Sequence, residues 1–229
     1  MHRSLTAWNH FFRIHSFYPL FLSTLMACAF YTFRVIYSGS YNYANLLWNL
    51  VLAWLPYIFA VIASSVYGIT PKRWWLILLF GFLWLVFFPN APYIVTDFYY
   101  LDPRPPLPLW FDISLIAIFA FTGCFLAIAS LRIIHIMIDK SFSRVLGWLF
   151  ALFALSLASF GVYLGRFGRY NSWDILLQPK SLVKEIAINL LNPLDNLGFV
   201  GFTIMFTSIL LVFYLMFVTA STPNDDFNG

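Results

Sequence analysis

Two stretches of this chain gather the residues able to do chemistry. One runs Phe88-Pro89-Asn90-Ala91-Pro92-Tyr93-Ile94-Val95-Thr96-Asp97 and is followed by Trp110-Phe111-Asp112. The other runs Gly165-Arg166-Phe167-Gly168-Arg169-Tyr170-Asn171-Ser172-Trp173-Asp174. Carboxylates such as Asp97, Asp112 and Asp174 can act as bases or as Mg²⁺ ligands, and arginines such as Arg166 and Arg169 can hold phosphate. Such a set suits a lipid headgroup or a lipid-linked phosphate. The candidate polar site is therefore Asn90, Tyr93, Asp97, Asp112, Arg166, Arg169, Asn171 and Asp174. Each residue also has a plainer reading. Pro89, Asn90 and Pro92 can stop a helix and satisfy its last carbonyls. Asp112 can complement a helix N-terminus, Ser172 and Asp174 can cap a turn, and the arginines can snorkel to headgroups. No Gly-rich phosphate loop, HExxH or Gly-x-Ser-x-Gly motif is present.

The elements that must hold these residues are membrane spans. The chain is 62% hydrophobic and 10% charged, with a mean hydropathy of +0.81. A soluble domain is nearer 45–50% apolar and about 25% charged, so the excess apolar surface must face lipid. Apolar runs lie at about 17–37, 46–67, 74–88, 110–134, 145–164 and 197–219. This predicts an all-α polytopic bundle of about six transmembrane helices. The first run is too long for a signal peptide. Leu25-Met26-Ala27-Cys28 faintly resembles a lipoprotein cleavage box, but the apolar run continues through Ala29–Phe33, so the run is read as a span. The third run is short unless it continues through Tyr93-Ile94-Val95, and a break is expected at Asn90–Pro92. Pro56 is expected to kink the second span.

Two spans separate the chemical stretches, so both are expected on one side of the membrane. Asp97, Asp102, Asp112, Asp174, Glu185 and Asp195 share that side, whereas His135 falls on the other. Ionisable groups next to hydrocarbon are expensive and usually paired or functional. Ala154, Ala158, Gly161 and Gly165 form a small-residue stripe for close helix packing. If that helix continues, Arg169 points toward the same neighbour, with Asp97 or Asp112 as partner. Arg169 is then expected to matter more than Arg166. The short basic loops at Lys72-Arg73 and Lys140–Arg144 favour a cytoplasmic N-terminus, which makes the polar face extracytoplasmic.

Segment 1–16 reads as a basic interfacial stretch, 17–220 as a single transmembrane domain and 221–229 as a polar tail. Ser181–Leu191 carries Leu182, Val183, Ile186, Ala187, Leu190 and Leu191 on one face, which predicts an interfacial amphipathic helix between spans five and six. Cys28 and Cys124 lie inside apolar runs with no metal-ligand spacing, and no basic run tracks a nucleic acid. No metal site and no nucleic-acid partner are expected.

The pieces Pro89-Asn90-Ala91-Pro92-Tyr93 with Thr96-Asp97, Trp110-Phe111-Asp112, and Arg169-Tyr170-Asn171-Ser172-Trp173-Asp174 resemble the bacterial membrane family known as domain of unknown function 1361. The resemblance covers most of the chain from the second span onward. The family pattern has Tyr where this chain has Phe111, so no hydroxyl is offered there. The resemblance implies a membrane architecture and no established activity. Three functions are weighed. The first is a binding or accessory protein, engaging membrane lipids or a membrane-protein partner. The second is an enzyme acting on a phosphorylated lipid, in which Mg²⁺ would be held by converging Asp97, Asp112 and Asp174. The third is a small transporter, ranked last because no internal repeat is found.

Overall fold

Among the described residues of the computed structural model, six helices are long and apolar enough to cross a membrane, and the protein is an integral membrane protein with an all-α fold. The structure describes residues 16–70, 72–170, 174–177, 179–191 and 196–221. The basic segment before Ser16, the site candidate Asn171 and the polar tail after Ser221 lie outside these residues. In chain order the helices are α1 (Phe17–Ser38), α2 (Asn45–Ile69), α3 (Trp74–Phe87), α4 (Asn90–Tyr93), a 3₁₀ segment (Ile94–Tyr100), α5 (Leu109–Ser141), α6 (Arg144–Arg166), α7 (Asp174–Leu177), α8 (Pro179–Leu191) and α9 (Leu197–Ser221). Their contacts fall into two compact units, Met1–Met137 and Ile138–Gly229, with α5 running through the boundary.

In the first unit, α2 buries Leu46, Leu50, Ala53, Tyr57 and Ala60. Their alternating spacing of four and three keeps one face inward over four turns. That face helps to form a core with Trp84, Phe88 and Ile94, and with Leu115, Ile116 and Phe119 of α5. Helix α2 runs on without interruption through Pro56. Large apolar side chains elsewhere, such as Leu22, Ile36, Trp74 and Leu78, are exposed, as lipid-facing residues are.

The third span continues past its prolines, and α3, α4 and the 3₁₀ segment together form one candidate crossing, Trp74–Tyr100. The break falls at Phe88-Pro89. Pro89 has no N–H to give, and Ala91 N bonds Phe88 O instead of continuing the α ladder. The carbonyl of Phe87 is taken by the Asn90 side chain, Nδ2 to O at 3.0 Å.

The depth of this break is set by α5. A Cβ on Gly123 would overlap the carbonyl oxygen of Ala91 and meet Ile94 Cδ1 at 3.1 Å. Gly123 lies between Asp112 and Arg132, in a stretch without charge, roughly 16 Å along the helix from Asp112 at 1.5 Å per residue. Close by in sequence, Thr122 shares a hydroxyl hydrogen bond with Ser23 of α1. Further along, Trp84 Nε1 donates to Ser130 Oγ at 3.1 Å. The Asn-Ala-Pro-Tyr turn therefore packs against the middle of α5.

In the second unit, Ser143 caps α6 by accepting from Leu146 N at 3.3 Å. Helix α6 packs on α9 through aromatic rings: Phe160 and Tyr163 on Phe199, Phe167 on Phe202, and Trp148 on Tyr214. Tyr163 Oη donates to Asn196 Oδ1 at 3.4 Å. The expected amphipathic segment is helical, as α8.

Candidate functional site

The polar cluster of the first unit forms where the end of α1, the start of α2, the 3₁₀ segment and the start of α5 meet. Helix α1 stops because Gly39 takes a left-handed conformation (φ +65°) and its N–H returns to Val35 O at 2.9 Å. One turn before that stop stands Arg34, which is 0% exposed. Its Nε donates to Asp112 Oδ1 at 2.8 Å and its Nη2 to Asp112 Oδ2 at 3.2 Å. This is a forked guanidinium–carboxylate pair between α1 and α5, with Asp112 also 0% exposed. Fixed planar geometry and two charge-assisted bonds make such a fork strong and directional.

Asp97, on the 3₁₀ segment, is 3% exposed and accepts from Asn49 Nδ2 of α2 at 2.8 Å. Against the ion pair lies Tyr43, in the α1–α2 loop. Its ring sits under two guanidinium groups, with Cζ of Arg34 4.8 Å and Cζ of Arg104 4.6 Å from the ring centroid. Tyr43 Oη donates to the carbonyl of Asp102 at 3.3 Å, which ties the 101–108 loop to the α1–α2 loop. Phe111 lacks a hydroxyl and packs its ring on Phe33 of α1, at a centroid distance of 5.5 Å.

The structure sorts the sequence candidates. Asp97 and Asp112 stand at this end of the first unit. Asn90 sits at the mid-helix break, half-buried, and its Nδ2 donates to Phe87 O. Tyr93 is half-buried at the end of α4. Asp112 faces Arg34 rather than the expected Arg169, a pairing that sequence reasoning missed. The available signal was a lone arginine inside an apolar run, where a charge needs a counter-ion.

Arg166, Arg169 and Asp174 belong to the second unit. Helix α6 ends at Arg166, so the register that aimed Arg169 along the small-residue stripe stops one turn short of it. Arg169 is exposed with φ +59°, whereas Arg166 is buried. Of the stripe, Ala154 and Ala158 are buried, and Gly161 and Gly165 half-buried. Asp174 opens α7 and is buried.

Among the described residues, no three His, Cys, Asp or Glu side chains are grouped as metal ligands. Asp112, with each oxygen already receiving an N–H from Arg34, is poorly placed to serve as a ligand.

Comparison with curated proteins and with solved structures gives no match. The model of one family, described as protein of unknown function DUF1361, matches residues 48–213, a stretch that includes Asn49, Asp97 and Asp112 but begins after Arg34 and Tyr43. With well over half of its length matched, this six-span chain belongs to the DUF1361 family of proteins of unknown function.

Proposed function

We propose that this integral membrane protein is a binding or accessory protein, whose polar end engages a lipid headgroup or a partner subunit rather than carrying out catalysis. The observation that carries this reading is the commitment of Asp112, both of whose oxygens receive hydrogen bonds from Arg34. A carboxylate held this way is a poor general base, because protonation would break a buried ion pair. Asp97, held by Asn49, supports the same reading. The basic short loops support an orientation with the N-terminus cytoplasmic and this polar end outside, and the family resemblance supports a bacterial plasma membrane.

Native mass spectrometry of the protein, extracted gently from its own membrane, tests the proposal. The expected result is a retained phosphorylated lipid, or one protein partner at fixed stoichiometry. A bare chain in every mild detergent, together with turnover of a phosphorylated lipid by the purified protein, would overturn it.

A further inference from the structure

Arg34 spends Nε and Nη2 on Asp112, while its Nη1 is buried with no hydrogen-bond partner. A buried N–H without an acceptor is unfavourable, and in native structures such a group is accounted for by strain, by a water or ion, or by a functional role. Besides Asp112, the guanidinium has the Tyr43 ring against it, which attracts the cation but offers no oxygen lone pair from its face.

Tyr43 is itself unusual. It is a bulky residue at φ +65° and only 6% exposed. Such backbone strain persists where surrounding contacts over-determine it, and it concentrates at binding sites. Here the contacts are Arg34, Arg104 and the Asp102 carbonyl. Arg104 is half-buried, with its guanidinium on the Tyr43 ring. Two guanidinium groups, of Arg34 and Arg104, face the Tyr43 ring, and of these Arg34 is paired with Asp112, while Asp102 meets the ring's hydroxyl through its carbonyl.

The depth suits a lipid. Tyr37, Tyr41, Tyr99, Tyr100 and Trp110 are all exposed near the same helix ends. Amphipathic rings of this kind settle at the headgroup level. Lipid phosphates lie at that level, and planar guanidinium forks match them well.

We propose that Arg104 and Arg34, arranged about Tyr43, form a phosphate site that takes the headgroup of an anionic lipid. Arg104 makes the first contact at the surface, and Arg34 Nη1 supplies a second donor when the Tyr43 ring turns aside. This rests on the binding reading above and names its ligand class.

The test is native mass spectrometry of the full chain in micelles doped with phosphatidylglycerol or, separately, phosphatidylcholine. Phosphatidylglycerol should be retained over phosphatidylcholine. Arg104→Gln should lower that retention about fivefold, the effect of one basic contact at headgroup level. Arg73→Gln, an exposed charge between α2 and α3, should leave it unchanged. Retention by Arg104→Gln equal to wild type, or an equal loss in Arg73→Gln, overturns the site.

If inorganic phosphate binds in an Arg104-dependent way and phosphatidylglycerol does not, the phosphate chemistry stands and its source is soluble. Should Arg104→Gln fail to fold, hydrogen exchange on the wild type decides. Residues 101–108 must become protected with phosphatidylglycerol and not with phosphatidylcholine, and equal exchange overturns the site. An Arg104→Gln protein that still brings its own lipid or partner from the membrane defeats only this assignment. A wild type that brings neither, and that turns over a phosphorylated lipid, defeats the broader reading as well.

Discussion

A guanidinium that gives two N–H groups to one carboxylate, with both groups shut away from solvent, leaves a bare charge if either partner is removed. Arg34→Met or Asp112→Leu alone should therefore cost roughly 3–5 kcal/mol, whereas the double substitution should recover most of the loss. Unfolding of the four proteins in one detergent checks this, and equal losses in the singles and the double would contradict it. In the second unit, buried Arg166 and exposed Arg169 differ in the same sense. Arg166→Ala should destabilise by about 1–3 kcal/mol and Arg169→Ala by less than about 0.5 kcal/mol, as measured by thermal midpoints. The reverse order follows from sequence alone, because counting four residues from Gly165 to Arg169 assumes a helix that in fact stops at Arg166. The Arg34–Asp112 pair was illegible for another reason: its members are 78 residues apart, and nothing local in either segment names the other.

At the scale of elements, the third span shows what local pattern can and cannot tell. Pro89 and Pro92 mark a break because proline lacks an N–H, a property of the residue itself. Its depth is a property of packing, and Gly123 decides it. With Ala91 O where a Cβ would stand, Gly123→Ala must push the turn away from α5 and should cost about 1–3 kcal/mol, the range for overpacked cores. Gly81 of α3 has open space around it. Gly81→Ala should be neutral or stabilising by up to about 1 kcal/mol through helix propensity. Equal thermal midpoints for the two variants would argue against the close approach. Asn90 belongs with this hinge of α3 and α4. Its amide gives the freed carbonyl of Phe87 a partner.

For the whole molecule, six crossings were legible because the length and polarity of an apolar run are local quantities that the bilayer itself measures. The all-α class follows, since a helix satisfies its own backbone inside lipid. With the N-terminus cytoplasmic, as proposed, Tyr41 in the exposed α1–α2 loop lies outside. Tyr41→Cys should then react with a membrane-impermeant maleimide on intact cells, and Lys72→Cys only after permeabilisation. Cys28 and Cys124, within α1 and α5, should add little background. Labelling in the opposite order would invert the topology.

The fork between α1 and α5 also has a consequence in time. Arg34 is synthesised 78 residues before its counter-ion. At about 5–20 residues per second, Asp112 follows roughly 4–16 seconds later. During that interval the first helix holds an uncompensated cation one turn from its end, within reach of the headgroups. Only when the fifth helix arrives can that charge be drawn fully inside, so the first helix acquires its final seat late, after most of the first unit has been made.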